Sequence, residues 1–152
     1  MKIAVDDLSG PEIAAFLAEH VSEMRSITPP ESKHALDLDG LRRYDVTLWT
    51  VTEDDGTIVG CGALKWLDRE HAEVKSMRTA ARRKRSGVAS LLLEHLIAEA
   101  RRTGHRRLSL ETGSDPFFAP ARALYAKHGF APCEPFADYR PDPLSVYLTR
   151  TI

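Results

Sequence analysis

The stretch Lys84-Arg85-Ser86-Gly87-Val88-Ala89 joins a predicted strand to a long predicted helix. The strand is predicted over Ala72–Thr79 and the helix over about Val88–Thr103, where apolar residues recur at intervals of three and four. A glycine-containing turn that enters a helix presents unpaired backbone N–H groups and the positive end of the helix dipole to an anion. Gly87 also lets the backbone approach that anion closely. The stretch by itself indicates either a site for a phosphate-bearing ligand or a solvated basic loop before an ordinary helix.

Outward from this helix, the alternation of apolar residues and turn signals predicts a mixed sheet. Strands over Val46–Thr52 and Thr57–Leu64 flank Asp54-Asp55-Gly56, a strong hairpin turn signal. The long helix should bury Val88, Leu91, Leu92, Leu96 and Ala100 and end at Gly104. The other predicted elements are a strand over Ile3–Val5, a helix opened by a capping box of Ser9 and Glu12, a strand at Leu108 and Leu110, a helix from Pro120 to Gly129, and strands over Phe130–Phe136 and Leu144–Leu148. A strand, long helix and strand in succession give parallel neighbours, whereas a hairpin gives antiparallel ones.

The composition is that of one ordinary globular domain. The chain has 152 residues, of which 43% are hydrophobic and 28% charged, and we found neither an internal repeat nor a low-complexity segment. Its 21 basic and 22 acidic side chains leave a net charge of −1. A dedicated nucleic-acid-binding protein usually carries a clear basic excess. The balance therefore argues against nucleic acid as a partner, although the residues at 82–85 form a local basic patch.

Cysteine content and apolar runs give expectations about compartment. Cys61 and Cys133 match no metal-ligand spacing and cannot form a framework of several disulfides, so we expect two reduced thiols and no metal site. The N-terminus lacks the features of a secretion signal, and no apolar run approaches the length that spans a bilayer. A cytoplasmic protein without a membrane partner is expected.

Three segments together resemble the GNAT superfamily of acetyltransferases: Glu73–Thr79, Lys84–Ala89 and Ala121–Phe130, the last with its Leu-Tyr and Gly-Phe pairs. The resemblance covers most of the chain with the strands and helices in the same order. It implies an α/β (α+β) GNAT fold, in which a mixed, mostly antiparallel sheet has a central parallel strand pair splayed around the cofactor and helices on its flanks. It also implies a single acetyltransferase domain over residues 1–152 and acetyl-CoA as cosubstrate.

Further segments are similar to the bacterial YsnE-type subgroup of that family, which is poorly defined in substrate. These segments are Pro29–Asp37, Lys75–Thr79, Leu110–Gly113 and Pro135–Tyr139. Two positions depart from the family pattern. Lys84 stands where Gln or Arg is preferred, which keeps a positive charge but loses bidentate contact. Phe118 stands where many members have Asn, so the contact made by that Asn is absent.

The resemblance assigns cofactor and catalytic roles to particular residues. The implied cofactor-binding residues are Met77, Thr79, Lys84, Arg85, Ser86, Gly87, Val88, Ala89 and Ser90. The Met77 backbone N–H would polarise the thioester carbonyl. Tyr125 either protonates the sulfur of CoA or holds its helix against the sheet. Glu73, expected on the same strand face as Met77, is a candidate general base, with Glu111 or ordered water as rivals.

The reaction implied is transfer of an acetyl group to the amine of a small-molecule acceptor, by direct attack within a ternary complex. Glu31, His34, Glu111 and Tyr139 are the predicted acceptor-binding residues. Nucleophilic catalysis is disfavoured because neither cysteine accompanies a convincing histidine and acidic pair. A non-catalytic acyl-CoA-binding domain on the same fold is the alternative function, and the sequence leaves a monomer and a homodimer open.

Overall fold

A seven-stranded sheet with helices on both faces organises the computed structural model, which describes residues 1–27 and 37–152. The strands are β1 (Lys2–Asp6), β2 (Val46–Thr52), β3 (Ile58–Trp66), β4 (His71–Thr79), β5 (Arg107–Gly113), β6 (Ala131–Pro132) and β7 (Ser145–Thr151). The helices are α1 (Pro11–Ile27), α2 (Leu38–Leu41), α3 (Val88–Arg102) and α4 (Ala119–Lys127), and short 3-10 turns occupy Ala81–Arg83 and Pro116–Phe118. The strand order is β1-β2-β3-β4-β5-β7-β6, and β4–β5 is the parallel pair among otherwise antiparallel neighbours. The predicted mixed sheet is confirmed.

The parallel pair separates halfway along its length. Its register runs from His71 opposite Arg107 to Val74 opposite Leu110 and stops there. Beyond this point each strand stays paired with its outer neighbour only. The pairing of β4 with β3 runs on to Thr79, and the pairing of β5 with β7 runs on to Gly113. The two inner edges therefore splay apart beyond Val74 and leave an opening in the middle of the sheet.

A β-bulge lies in β4 beside this opening. Ser76 and Met77 together lie opposite the single residue Gly62, because the register shifts by one between Cys61 and Ala63 of β3. Ser76 takes a φ of 56°, which is uncommon for a residue other than glycine. The Cys61 thiol donates to the Ser76 carbonyl oxygen at 3.2 Å. An extra residue bends the strand and re-aims the side chains that follow it.

The bulge changes which side of the sheet the second half of β4 presents. Val74 belongs to the main core beneath α3. Met77 lies on that same side, since its Sδ atom is 2.8 Å from the position that a Cβ on Gly62 would take, next to Leu96. Glu73, one residue before Val74, points to the opposite side. The prediction that Glu73 and Met77 share a face is therefore wrong, because the inserted residue breaks the alternation.

Two apolar layers hold the helices against the sheet. The main core joins α3 to the β4–β5 face, and a second core packs α1 and α2 on the other face. Leu91, predicted to be buried, is 38% exposed, whereas Leu93 and Ile97 are buried. The buried face of α3 is therefore rotated about the helix axis relative to the apolar face that the sequence predicted. In the part of the chain that is described, no helix has the length and apolarity to cross a membrane.

Several local predictions are confirmed by backbone geometry. The β2–β3 hairpin closes with a hydrogen bond from Gly56 N–H to the Glu53 carbonyl at 2.9 Å. Gly104 follows the end of α3 and Gly129 follows α4, each with a φ of 87°. Helices commonly end with a residue in this left-handed conformation, which glycine adopts more readily than other residues.

Two local predictions are wrong. No capping box forms at Ser9, because α1 begins at Pro11 and the Ser9 hydroxyl donates to Asp7 at 2.6 Å instead. The strand predicted over Phe130–Phe136 shrinks to Ala131–Pro132. Prolines within that stretch lack the backbone N–H that a longer ladder needs.

Candidate active site

A cavity of about 440 Å³ lies beside the bulged half of β4, between the start of α3 and the start of α4. Its walls come from α1, β4, the loop before α3, α3 itself, and the segment that leads into α4. The lining residues are His20, Glu23, Met24, Met77, Arg78, Thr79, Arg83, Lys84, Arg85, Gly87, Ala89, Ser90, Phe117, Phe118, Pro120, Ala121, Leu124 and Tyr125. The cavity therefore connects a helix N-terminus to the splayed end of the sheet.

One end of the cavity is suited to an anion. Gly87 caps the N-terminus of α3 with a φ of 88°. Its carbonyl oxygen accepts the first hydrogen bond of the helix, from Leu91 N–H at 3.0 Å. The N–H groups of the first helical turn have no acceptor within the helix. A Cβ built on Gly87 meets no protein atom within 4 Å. Space, free donors and the helix dipole thus coincide at one place, as phosphate binding requires.

The basic residues before α3 divide into two pairs. Arg82 and Arg83 form ion pairs with Glu53, at 3.6 Å and 3.4 Å. Lys84 and Arg85 line the cavity together with Arg83. Glu53 offsets part of the charge of Arg83, so the positive charge available to an anion there comes mainly from Lys84 and Arg85.

Two predicted cofactor residues point their side chains elsewhere. Val88 is fully buried and packs in a small core with Leu92. The Ser86 hydroxyl donates to the Arg83 carbonyl oxygen. Neither is among the described residues that line the cavity, so they can contribute through their backbone groups alone. The other predicted cofactor residues all line it.

The position of Tyr125 is compatible with both of the roles that its sequence position left open. Its ring is buried in the main core, at 5.8 Å from the Phe130 ring between centroids, and the same side chain lines the cavity. Burial raises the pKa of Tyr125 above its ordinary value of about 10. The phenol is consequently protonated at neutral pH and has a proton to donate.

Glu73 lies on the opposite face of the sheet, in a polar triad with the buried Lys75 side chain and the half-buried Tyr139. The Tyr139 hydroxyl donates to Glu73 Oε2 at 2.5 Å, and Lys75 Nζ lies 3.1 Å from the same oxygen and 2.7 Å from the Tyr139 hydroxyl. The Glu73 and Lys75 side chains are only 3% and 8% exposed. Burial and the neighbouring Glu73 raise the pKa of Tyr139, so this phenol stays protonated as a donor. A buried charge is tolerated when it is paired and hydrogen-bonded in this way.

Lys75 is a site residue that the sequence reasoning missed. Opposite charges two residues apart on a strand share one face, so Glu73 and Lys75 carried the signal of a pair. Tyr139, which was predicted to bind the acceptor, is brought by the structure to Glu73.

Glu111 lies on the same face at the edge of the opening. It is the first β5 residue after the last pair with β4, and it lies opposite Tyr147 of β7. Its Oε2 accepts a hydrogen bond from the Ser145 hydroxyl at 2.8 Å. The remaining two predicted acceptor residues, Glu31 and His34, lie outside the described residues.

The two cysteines are poor nucleophiles. Burial raises the pKa of the Cys61 thiol to about 12, so about one thiol in 10⁵ is ionised at pH 7. Burial also raises the pKa of Cys133. Neither residue is among those that line the cavity.

Comparison with known sequences identifies relatives of this chain. The family model described as the acetyltransferase (GNAT) family matches residues 13–130. The chain is 51% identical to the uncharacterized N-acetyltransferase YsnE of Bacillus subtilis over the whole of both chains. It is also 51% identical to the uncharacterized N-acetyltransferase YedL of Escherichia coli, over 99% of this chain and 94% of YedL. An IAA acetyltransferase of Azospirillum brasilense is 40% identical over 82% of this chain and 80% of its own length.

Solved structures share the fold. An acetyltransferase from Streptococcus agalactiae superposes with a TM-score of 0.79 at 20% identity, covering 99% of this chain and 98% of its own. A GNAT family acetyltransferase from Elizabethkingia anophelis with acetyl-CoA bound superposes with a TM-score of 0.66 at 18% identity, covering 99% and 97%. The predicted architecture is confirmed, including the splayed parallel pair.

Proposed function

The chain belongs to the acetyltransferase (GNAT) family, and we propose that it transfers the acetyl group of acetyl-CoA to the amine of a small-molecule acceptor, by direct attack within a ternary complex. Acetyl-CoA-dependent acetyl transfer is the general activity of this family, and acetyl-CoA is the cosubstrate. Membership of the family favours an enzyme over a non-catalytic acyl-CoA-binding domain. We retain the prediction that residues 1–152 act as a single domain.

The observation that carries the proposal is the continuity of the cavity. It begins at the free N–H groups of α3 and reaches Met77 and Tyr125 beside the opening between β4 and β5. CoA carries a pyrophosphate at one end of its pantetheine arm and the thioester at the other. The proposal places the pyrophosphate on the backbone from Arg85 to Ser90 and the thioester near Met77 and Tyr125.

The chemistry divides among groups on the two faces of the sheet. The acceptor nitrogen, once deprotonated, attacks the thioester carbonyl carbon and forms a tetrahedral oxyanion. The Met77 backbone N–H, in the bulge, is the proposed donor to that oxyanion. The intermediate then collapses, the carbon–sulfur bond breaks, and Tyr125 gives its proton to the leaving thiolate. The support for this role is the position of Tyr125 in the cavity lining, since its raised pKa keeps the phenol protonated but makes it a weaker acid.

The base is proposed to act from the other face. Glu73 is oriented by Tyr139 and Lys75 and can take the ammonium proton directly or through water. Glu111 lies nearer to the opening along the strand register and is the rival. Glu73, Glu111 and Tyr139 together form the proposed acceptor side of the site, so that acceptor and cofactor approach the opening from opposite faces.

Direct attack is favoured over an acyl-enzyme intermediate by the state of the thiols. A nucleophilic cysteine needs a substantial thiolate population and access to the thioester. Cys61 has neither, because it is fully buried and its pKa is raised to about 12.

Turnover with isotope-labelled acetyl-CoA tests the proposal. The purified protein would be incubated with a library of small amines, together with IAA because a 40% identical relative is named for that acceptor. The expected result is label transferred to an amine nitrogen, with stoichiometric release of CoA. Tight binding of CoA without transfer to any amine would contradict the proposed acceptor class.

A further inference from the structure

We propose that the Tyr139 hydroxyl is a proton relay, which takes a proton from the acceptor ammonium and passes its own proton to Glu73. The inference rests on the proposed function, with Glu73 as the base, and gives Tyr139 a catalytic role beyond binding the acceptor. Three features of the triad support this role: the exposure of its side chains, the direction of its hydrogen bonds, and its place at the opening of the sheet.

The Glu73 carboxylate is closed to direct contact with an acceptor molecule. Its side chain is 3% exposed, and its Oε2 atom already accepts hydrogen bonds from the Tyr139 hydroxyl and from Lys75 Nζ. The Lys75 side chain is also buried, whereas Tyr139 is half-buried and so partly open to solvent. A proton that reaches Glu73 from an acceptor therefore has its most accessible route through the phenol.

The Tyr139 hydroxyl can transmit a proton and remain neutral. It donates to Glu73 Oε2 at 2.5 Å, and it accepts from Lys75 Nζ at 2.7 Å, since an ammonium group is only a donor. Burial and the neighbouring Glu73 raise the pKa of Tyr139, with Glu111 of β5 and Tyr147 of β7 acting in the same direction. The phenol therefore does not ionise, and it can release its proton to Glu73 only as it gains another.

The two transfers balance. An N–H bond of the ammonium breaks as its proton joins Tyr139 Oη, and the O–H bond of Tyr139 breaks as its proton joins Glu73 Oε2. The acceptor becomes the free amine that attacks the thioester, Tyr139 is again a neutral phenol, and Glu73 becomes a neutral acid. Lys75 keeps its charge throughout. After the product leaves, the reverse transfer returns the proton to water.

The hydroxyl lies where the two strands of the parallel pair begin to separate. Lys75, which contacts it, follows Val74, the last residue of β4 that pairs with β5. Glu111 is the first residue of β5 beyond that pairing. Tyr139 is thus held at the acceptor side of the opening, where the proposed attack takes place.

The ring of Tyr139 is held by two other aromatic side chains. Its centroid is 5.2 Å from that of Phe136 and 5.7 Å from that of Tyr147. Tyr139→Phe keeps these contacts and removes only the hydroxyl. This variant therefore separates the relay from the packing of the segment before β7.

Rates of acetyl transfer over a range of pH test the inference, with acetyl-CoA and the primary amine that the wild type acetylates best in the labelled library. Below the pKa of that amine, Tyr139→Phe and Glu73→Gln should each lower the rate by roughly 10²–10⁴-fold. The double variant should be no slower than either, because the relay and the base act in series. All three should approach the wild-type rate above that pKa, where the amine is already free base. Their affinity for CoA should be unchanged, since neither side chain is among the described residues that line the cavity.

Tyr147→Phe is the matched control. Its ring lies in the same aromatic cluster, but its hydroxyl donates to the Arg140 carbonyl oxygen at 2.8 Å, so this variant should keep the pH profile of the wild type. A much smaller loss in Tyr139→Phe than in Glu73→Gln would overturn the inference, because Glu73 would then take the proton without the phenol. An equal loss at every pH would also overturn it and assign Tyr139 a structural role. A wild-type protein that acetylates no amine would contradict the proposed function itself, so the two failures are distinguishable.

Discussion

Replacement of Gly87 by glutamate tests the cofactor site most directly, because two separate costs can be worked out from the structure. The first is conformational. Gly87 has a φ of 88°, and forcing another residue into that region costs about 1–2 kcal/mol. With an unfolding entropy of about 2.1 cal/mol/K per residue, the 152 residues give about 0.32 kcal/mol/K. The melting temperature should therefore fall by about 3–6 °C and leave the protein folded.

The second cost falls on the ligand. The space beside Gly87 holds no protein atom within 4 Å, so the new carboxylate occupies the proposed place of the pyrophosphate. Two like charges about 4 Å apart repel by about 1 kcal/mol in water and about 4 kcal/mol at an effective dielectric constant of 20. Two phosphate charges then give about 2–8 kcal/mol, so the affinity for CoA should fall by roughly 30-fold or more.

Gly104→Glu separates these two costs. Gly104 lies at the other end of α3, has a φ of 87° and also has no protein atom within 4 Å of a built Cβ. The melting temperature of the Gly104→Glu variant should fall by a similar few degrees, and this variant should bind CoA as the wild type does. Titration calorimetry with CoA and thermal unfolding of both variants give the two quantities. Wild-type affinity for CoA in Gly87→Glu would refute the placement of the pyrophosphate.

Further predictions concern three residues, Tyr125, Glu73 and Cys61. Tyr125→Phe keeps the buried ring and removes the hydroxyl, so turnover should fall by roughly 10²–10⁴-fold, whereas unchanged turnover with chemistry rate-limiting would assign Tyr125 to packing alone. Because burial raises the pKa of Tyr125, the wild-type rate should show no alkaline loss from this group up to a pH of about 10. Glu73→Gln should bind CoA normally, lose rate at neutral pH and recover part of it at higher pH as more amine becomes free base; a loss confined to the apparent acceptor affinity at every pH would make Glu73 an anchor instead. Cys61→Ala should leave turnover unchanged, and trapping of an acetylated Cys61 in the wild type would overturn direct attack.

Elements whose signals are local could be predicted from the amino-acid sequence. Gly87 at a helix entrance, the hairpin turn that ends at Gly56 and the helix-ending Gly104 each depend on conformations that few residues other than glycine adopt. The basic loop and the helix that carries Tyr125 were likewise found in the right order. Such features act over a few neighbouring residues, so a single sequence contains the information for them. Features of this kind predicted a possible phosphate site at the start of the long helix, whereas acetyl-CoA and its binding residues were predicted from the resemblance to the GNAT family.

The arrangement of the proposed acceptor side depends on contacts between residues far apart in the sequence. No glycine within β4 indicates the bulge at Ser76 and Met77, because the bulge arises from the pairing register between β3 and β4. It reversed the predicted relation between Glu73 and Met77. Tyr139 reaches Glu73 across 66 positions of sequence, a contact that depends on where the connection between β6 and β7 crosses the sheet.

The same distinction holds for the residues that line the cavity. Phe117 and Lys84 belong to separate turns, and nothing in either turn alone shows that they meet. They are brought together because β4 and β5 are parallel neighbours that splay apart, so the segments following both strands converge on one end of the sheet. Strand pairing is a property of the whole fold, and a site assembled from the ends of several strands becomes visible only when that pairing is known.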